Sequence, residues 1–289
     1  MSAELREMLA VDFIRDEPDP FHWRMGVRPL ELDKWLIKDG RFEVDLAELR
    51  LQLSKRRTEI VYCEKGSETA CAEIYEAIRA HCSISGAETF TPEGPGIIEA
   101  ARLVVQEDLC VMTRKKGCWV MTACAVAFPT SWDVESKFGK GLDEIHEPVP
   151  RYSKDLSKAM NVFFDRLRAE APVWRSNRTL SDRSSLRLEP YTRAQEAQKE
   201  ITIDNVGDRI FLRVEYQTLR KFPVSNSVLF TIRILQQPLR ELLDKPVALR
   251  SLIRGIAQMP TDIADYKRGT SNYEKLIAEW VKESGIENT

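Results

Sequence analysis

The chain contains no run of about 18 apolar residues, so it offers no membrane-spanning helix. It also lacks a charge of one sign. Lys and Arg number 43 against 45 Asp and Glu, for a net charge of −2, and nothing in that balance points to a nucleic-acid or membrane surface. No C-x-x-C spacing occurs among the six cysteines, and the one adjacent pair, His81-Cys82, lacks the spacing of a zinc site. Cys71, Cys82, Cys110, Cys118 and Cys124 instead fall within apolar periodic segments, which predicts reduced, buried thiols. Charges are scattered through the opening MSAELREMLAVDF, so no signal peptide is expected there, and a cytoplasmic location follows as the expectation. Internal repeats and low-complexity linkers are missing too. Histidine is scarce, with three in 289 residues.

What remains is an ordinary soluble composition, 43% hydrophobic and 30% charged, long enough for one large domain or two modest ones. Residues 11–50 read as irregular. ETACAEIYEAIRAHC (68–82) carries apolar residues at helical spacing. PEGPG (92–96) breaks the chain before a short helical run, IIEAARL. LVVQEDLCVMT (103–113) and CWVMTACAVAF (118–128) flank the turn RKKG and predict a β-hairpin. Residues 153–169 read as a helix. A second antiparallel pair is expected from IFLRVEYQTL (210–219) and SVLFTIRIL (227–235), and the tail from 238 is helical, divided at Pro238, Pro246 and Pro260. Helices around an antiparallel sheet predict a single α+β domain over 1–289, with residues 1–20 as an N-terminal extension and 238–289 as a C-terminal helical segment.

Two constellations bear chemistry. In FGKGLDEIHEPVP (138–150), His146 stands just before a Pro-Val-Pro turn. Proline fixes its own φ and restricts its predecessor, so the imidazole is expected on a stiff loop, aimed at a metal or cofactor or simply packed. On the 210–235 hairpin, alternation places Glu215 and Arg213 on one face of the first strand and Thr231 and Arg233 on one face of the second. If the apolar faces match, these four share a surface with Phe211, Leu229 and Leu235. That surface is either solvated or lines a pocket in which Glu215 holds a cation and the arginines hold carboxylates.

Four collinear segments resemble the heme-dependent oxidative N-demethylase family, which includes the heme subunit of dimethylamine monooxygenase. They are FHWRMGVRPLELDKWLIKD near the N-terminus, VQEDLCVM (105–112) with AFPTSW (127–132), FGKGLDEIHEPVPRY (138–152), and RVEYQTLRKFP (213–223) with LFTIRILQQPL (229–239). The resemblance spans roughly residues 20–268, and its QEDLC and IHxPVP pieces are the most specific. It implies a PAS-like curved antiparallel sheet flanked by helices. It also implies heme b with His146 as the one protein ligand to iron, leaving the opposite iron face for O₂. Family members oxidise a C–N bond of a small methylamine with O₂ and electrons from a flavin/iron–sulfur reductase.

From that resemblance, Lys140, Arg151, Tyr152 and Arg175 are expected near the heme propionates, and Trp132 against the macrocycle. Glu215 would hold the substrate ammonium or accept its proton, with Arg233 beside it keeping the carboxylate ionised. Departures from the family pattern fall at Tyr216 and Leu235, where Arg and Tyr are common, and at Arg178, where a Trp often follows the Asn. A phenol at Tyr216 would supply a hydrogen bond in place of a fixed cation. The substrate side is therefore expected to be altered. Two other readings stay open: a noncatalytic heme or gas sensor, and a heme-free enzyme using His146 and Glu215 as an acid/base pair.

Overall fold

The computed structural model describes residues 7–15, 23–83, 94–190, 200–267 and 273–286. His22, the expected break at Pro92 and most of the N-terminal extension lie outside them. The architecture is α+β, as expected. Seven strands form one antiparallel sheet in the order β1-β5-β6-β7-β3-β4-β2. They are β1 (Arg28–Pro29), β2 (Val61–Cys63), β3 (Asp108–Lys115), β4 (Cys118–Ala125), β5 (Val173–Ser181), β6 (Phe211–Phe222) and β7 (Ser227–Pro238).

The two expected hairpins form for local reasons. Lys116 and Gly117 both take positive φ, 49° and 87°, which suits the right-handed twist of β3 and β4. In the β6–β7 turn Asn226 takes φ 52°, a value Asn tolerates. Glu73 holds that turn by accepting hydrogen bonds from the Val224 and Ser225 amides at 3.0 and 2.8 Å.

Helices cover both faces. On one face α2 (Glu68–His81) and α3 (Pro95–Arg102) pack Ile74, Ile78, Ile98 and Ala101 against Leu109, Val111 and Leu229. The apolar spacing 70, 71, 74, 78 in α2 is the helical stripe that makes this burial pay off. Further along the same face, α7 (Val206–Arg209), α8 (Pro246–Ala257) and α10 (Glu274–Glu283) pack on Val214, Tyr216 and Leu235. The other face carries α4 (Leu142–His146), α5 (Tyr152–Asp155) and α6 (Ser157–Arg166), set on Cys110, Cys124 and Leu219. The remaining helices are α1 (Phe42–Ile60) and α9 (Thr261–Tyr266).

Three expectations are corrected and one strand was missed. Residues 42–50 are not irregular: they open α1, which runs to Ile60 with a kink at Arg56. Strand β5, in a run for which the sequence offered no expectation, pairs with β6 along its whole length. The 153–169 helix is broken into α5 and α6. Cys118 is exposed and Cys82 only partly buried, whereas Cys71, Cys110 and Cys124 are buried; all six cysteines are free.

Candidate functional site

His146 is the last residue of α4, not a loop residue, and the Pro-Val-Pro turn follows it. Sequence at both ends places this short helix. Residues 139–141 run antiparallel to β4, with the Met121 amide donating to the Lys140 carbonyl at 3.0 Å and the Gly139 amide to the Met121 carbonyl at 2.9 Å. Glu144 turns back to accept from the Gly141 amide at 3.0 Å, which satisfies one free donor at the helix start. At the other end Lys137 Nζ donates to the Ile145 carbonyl at 2.6 Å, a cation where the helix dipole favours one.

The imidazole is held by two contacts. Its Nδ1 lies 2.8 Å from the Leu142 carbonyl. A carbonyl only accepts, so Nδ1 carries the proton and Nε2 keeps its lone pair. Tyr152 stacks on the ring, 5.0 Å between centroids and 15° between planes. Burial pushes the His146 pKa down, and the positive charges of Arg175 and Lys137 push the same way, outweighing the Leu142 carbonyl and Asp143. The ring is therefore neutral at ordinary pH.

Arg175, whose charge acts on the ring, belongs to a polar patch on β5 and β6. Arg175 stands opposite Gln217 and Asn177 opposite Glu215 in the ladder, so the four side chains share one face. Glu215 Oε2 accepts from Gln217 Nε2 at 2.9 Å and from Asn177 Nδ2 at 3.4 Å. Gln217 Oε1 and Arg175 Nε are both shut off from solvent without a hydrogen-bond partner. Burial lowers the Arg175 pKa while Glu215 opposes the shift. Burial first, and then the Glu215 charge, pushes the Tyr266 phenol up.

The patch is framed by the 146–152 turn and α9. Arg151, at φ 62°, makes a two-pronged pair with Asp262, both bonds 2.7 Å. Trp23 Nε1 donates to the Pro150 carbonyl at 2.8 Å. Lys267, just after α9, donates to the Arg178 carbonyl at 2.7 Å and reaches Asn177 Oδ1 at 3.4 Å.

The sequence-expected residues divide. His146, Arg175 and Glu215 come together: Arg175 lies within electrostatic reach of both others. Arg151 and Tyr152 are committed elsewhere, Tyr152 through a 2.8 Å hydrogen bond from its hydroxyl to Asp143 Oδ1. Lys140 is exposed. Trp132 is partly buried and packs against two of the core clusters.

Arg233 is a correction. The register pairs Glu215 with Ile234 and Tyr216 with Arg233, so Arg233 and Tyr216 lie on the face opposite Glu215. There Arg233 Nη2 is 2.8 Å from Asp39 Oδ1 and 3.4 Å from Asp45 Oδ2, all three buried. It does not stand beside Glu215. The expected shared surface fails because the hairpin's apolar residues do not match face to face. Arg213 does share the Glu215 face, but there it ties down two crossing segments through Thr130 Oγ1 at 3.0 Å and the Leu186 carbonyl at 2.7 Å.

Tyr216 and Leu235 are core residues, 5% and 3% exposed. Tyr216 packs between Phe13 and Trp174, with centroids at 5.3 and 5.4 Å. Two departures from the family pattern thus alter packing behind the sheet, not the face that carries Glu215. The QEDLC segment is structural as well. Asp108 accepts from Arg102 Nε and from the Ala127 and Phe128 amides at 3.0, 2.9 and 2.8 Å. Gln106 bridges Asp39 and Asp45 at 3.0 and 2.8 Å.

Sequence reasoning missed Asn177, Lys137, Tyr266 and Lys267. For Asn177 a signal existed in its i,i+2 spacing from Arg175, hidden because β5 has no apolar alternation.

Among the described residues no group of three His, Cys, Asp or Glu side chains could hold a metal ion by itself. A heme needs only one protein ligand, and a neutral histidine with its lone pair on Nε2 is a suitable one. Arg175, whose charge acts on the ring, has a buried guanidinium nitrogen without a hydrogen-bond partner, a fit for an anionic group. The donor set therefore fits a heme protein with a single histidine ligand. The chain belongs to the family described as haem-dependent oxidative N-demethylase, alpha subunit-like, whose model matches residues 26–277.

Proposed function

We propose that this protein oxidises a small N-methylated amine, using O₂ and a heme b whose iron is ligated by His146. The observation that carries the reading is the Nδ1 bond to the Leu142 carbonyl, which leaves the Nε2 lone pair as the ligating atom. When bound, the heme supplies the activation of O₂ and the one-electron chemistry that side chains lack. Everything else falls to the chain. Leu142 and Tyr152 fix the orientation of the imidazole. Glu215, with Oε1 free of hydrogen bonds among the described residues, holds the substrate ammonium or takes its proton, so that the neutral amine is oxidised. Asn177 and Gln217 hold that carboxylate in place. Lys140 and Lys137 supply positive charge near the His146 loop for propionates.

The net reaction adds O₂, two electrons and two protons to a methylamine and yields the shorter amine, formaldehyde and water. The electrons come from a separate reductase of the flavin/iron–sulfur class. The alpha-subunit-like family supports such partners. The test is the absorption spectrum of the purified protein, which should show a Soret band that His146→Ala shifts or abolishes. Formaldehyde release should follow when reductant and N-methylated amines are supplied. A His146→Ala protein with an unchanged heme spectrum overturns the ligand assignment.

A further inference from the structure

Four polar side chains stand in a two-by-two array on β5 and β6: Arg175 opposite Gln217, and Asn177 opposite Glu215. Cross-strand neighbours lie about 5 Å apart and i,i+2 neighbours about 7 Å apart, so the whole array has the footprint of a small molecule. One member is complete within the protein and a second is half complete. Glu215 Oε2 accepts from both amides, and Asn177 Oδ1 accepts from Lys267.

The other two are incomplete. Gln217, 6% exposed, presents an enclosed Oε1 with no donor, and Arg175 presents an enclosed Nε with no acceptor. Leaving such atoms unpaired is costly. Native proteins carry few of them, and a ligand is one reason they persist. The array therefore lacks an anionic acceptor for Arg175 and a donor for Gln217, next to a carboxylate oxygen, Glu215 Oε1, that also takes a donor.

We propose that the array binds a zwitterion, an N-methylated α-amino acid, with its ammonium between Glu215 Oε1 and Gln217 Oε1 and its carboxylate on Arg175. This rests on the amine-oxidising reading above and narrows its substrate. A simple dialkylamine satisfies Glu215 and Gln217 but leaves the guanidinium of Arg175 unpaired. An N-methyl amino acid satisfies all three, with opposite charges placed as Arg175 and Glu215 are. Oxidation of N-methylglycine balances as N-methylglycine plus O₂, two electrons and two protons giving glycine, formaldehyde and water. The electrons again come from the reductase.

The experiment compares N-methylglycine with dimethylamine, which differ by one carboxylate. Binding is measured by calorimetry on the purified protein and followed in parallel by the Soret band. N-methylglycine should bind about 10-fold or more tightly than dimethylamine, the worth of one charge-assisted contact. Arg175→Gln should collapse that ratio toward one while heme content per chain stays at the wild-type level. Arg175→Lys, which keeps the charge without the fork, should retain part of the ratio and guards against a folding defect in the first variant. Equal affinity for the two amines overturns the proposal. So does loss of heme in Arg175→Gln from a protein that folds, because Arg175 is then a propionate anchor. Arg175-dependent binding of N-methylglycine in a protein without a Soret band would uphold the zwitterion site and sink the heme reading.

Discussion

The ring of Tyr152 lies parallel to that of His146, 15° apart in plane, while its hydroxyl donates to Asp143 three residues before the histidine. Asp143 also accepts from Ser157 Oγ at 2.8 Å and Asn161 Nδ2 at 3.1 Å. The stacking partner of the histidine is thus fastened to the helix that carries it and, through Asp143, to α6. One aromatic residue couples the orientation of the imidazole to the packing of three helices.

Tyr152→Phe keeps the ring and removes the hydroxyl. It should cost about 1 kcal/mol of stability, the net worth of one hydrogen bond. The imidazole keeps its orientation because the stack survives. Tyr152→Ala removes a ring only 3% exposed and should cost about 3–5 kcal/mol. Urea denaturation of both variants checks the difference. Equal losses would mean that the hydroxyl, not the ring, carries the contact.

Behind the sheet, Arg233 neutralises Asp39 and Asp45 in a dry environment. Arg233→Met leaves buried Asp39 without its cation and Asp45 with only Arg41, 3.4 Å away, and should cost about 3–5 kcal/mol. The same network makes a pH prediction. Burial works to raise the Asp39 pKa, but the Arg233 charge and hydrogen bonds from the Met8 amide, Gln106 and the Arg41 amide outweigh it, and the net shift is down from 3.8. A depressed carboxylate stabilises the fold above its unfolded pKa. That stability is lost as pH falls from about 4 through the folded value. Asp39→Asn should therefore flatten the decline of unfolding free energy below pH 4, measured by denaturant titration at each pH. A decline as steep as in the wild type would place the acid sensitivity elsewhere.

The elements legible in the sequence were those with a clean period. Helix α2, with its 70, 71, 74, 78 stripe, and the hairpin around Lys116 and Gly117 appear where periodicity and turn chemistry put them. Helix α1 was hidden because its 19 residues carry little apolar asymmetry; of them only Asp45, Leu46, Leu49 and Ile60 are buried. Strand β5 was hidden because both its faces are polar or partly exposed until Leu180. The site suffered from register. Alternation named the residues on each face of β6 and β7, but which faces match depends on pairing, and a one-residue offset moves a whole set across the sheet. That offset put Arg233 on the wrong side. Scarcity and the prolines after it single out His146, but a ligand role for it comes from the family resemblance. Its hydrogen bond to Leu142 was not legible, since it depends on residues 142–146 closing into a helix.

Tyr216 tests the face assignment. Burial and the nearby Glu107 carboxyl push its phenol up to about 12, and it packs on Phe13 and Trp174. Tyr216→Ala should cost about 3–5 kcal/mol in stability by opening a cavity. Its effect should appear in the unfolding free energy, not in the affinity for amines at the Glu215 patch. A variant that folds normally but loses amine binding, measured by calorimetry, would put Tyr216 back at the site.

Gly207, in α7, packs against Trp280 of α10. A Cβ at this position would stand 2.5 Å from Trp280 Cζ2 and 2.9 Å from Trp280 Cε2. Those atoms belong to the rigid body of an indole that is 6% exposed, so the ring has no flexible end to swing aside. The helix propensity of alanine favours Gly207→Ala by up to about 1 kcal/mol. Overpacking opposes it by about 1–3 kcal/mol, and the clash should win. The expected outcome is a lower urea midpoint with an unchanged slope, because the same surface is exposed on unfolding. Pairing Gly207→Ala with Trp280→Phe should recover part of the loss relative to the sum of the two single changes, since the smaller ring leaves room for the methyl group. Strict additivity between the two substitutions would show that α7 and α10 do not meet at this contact.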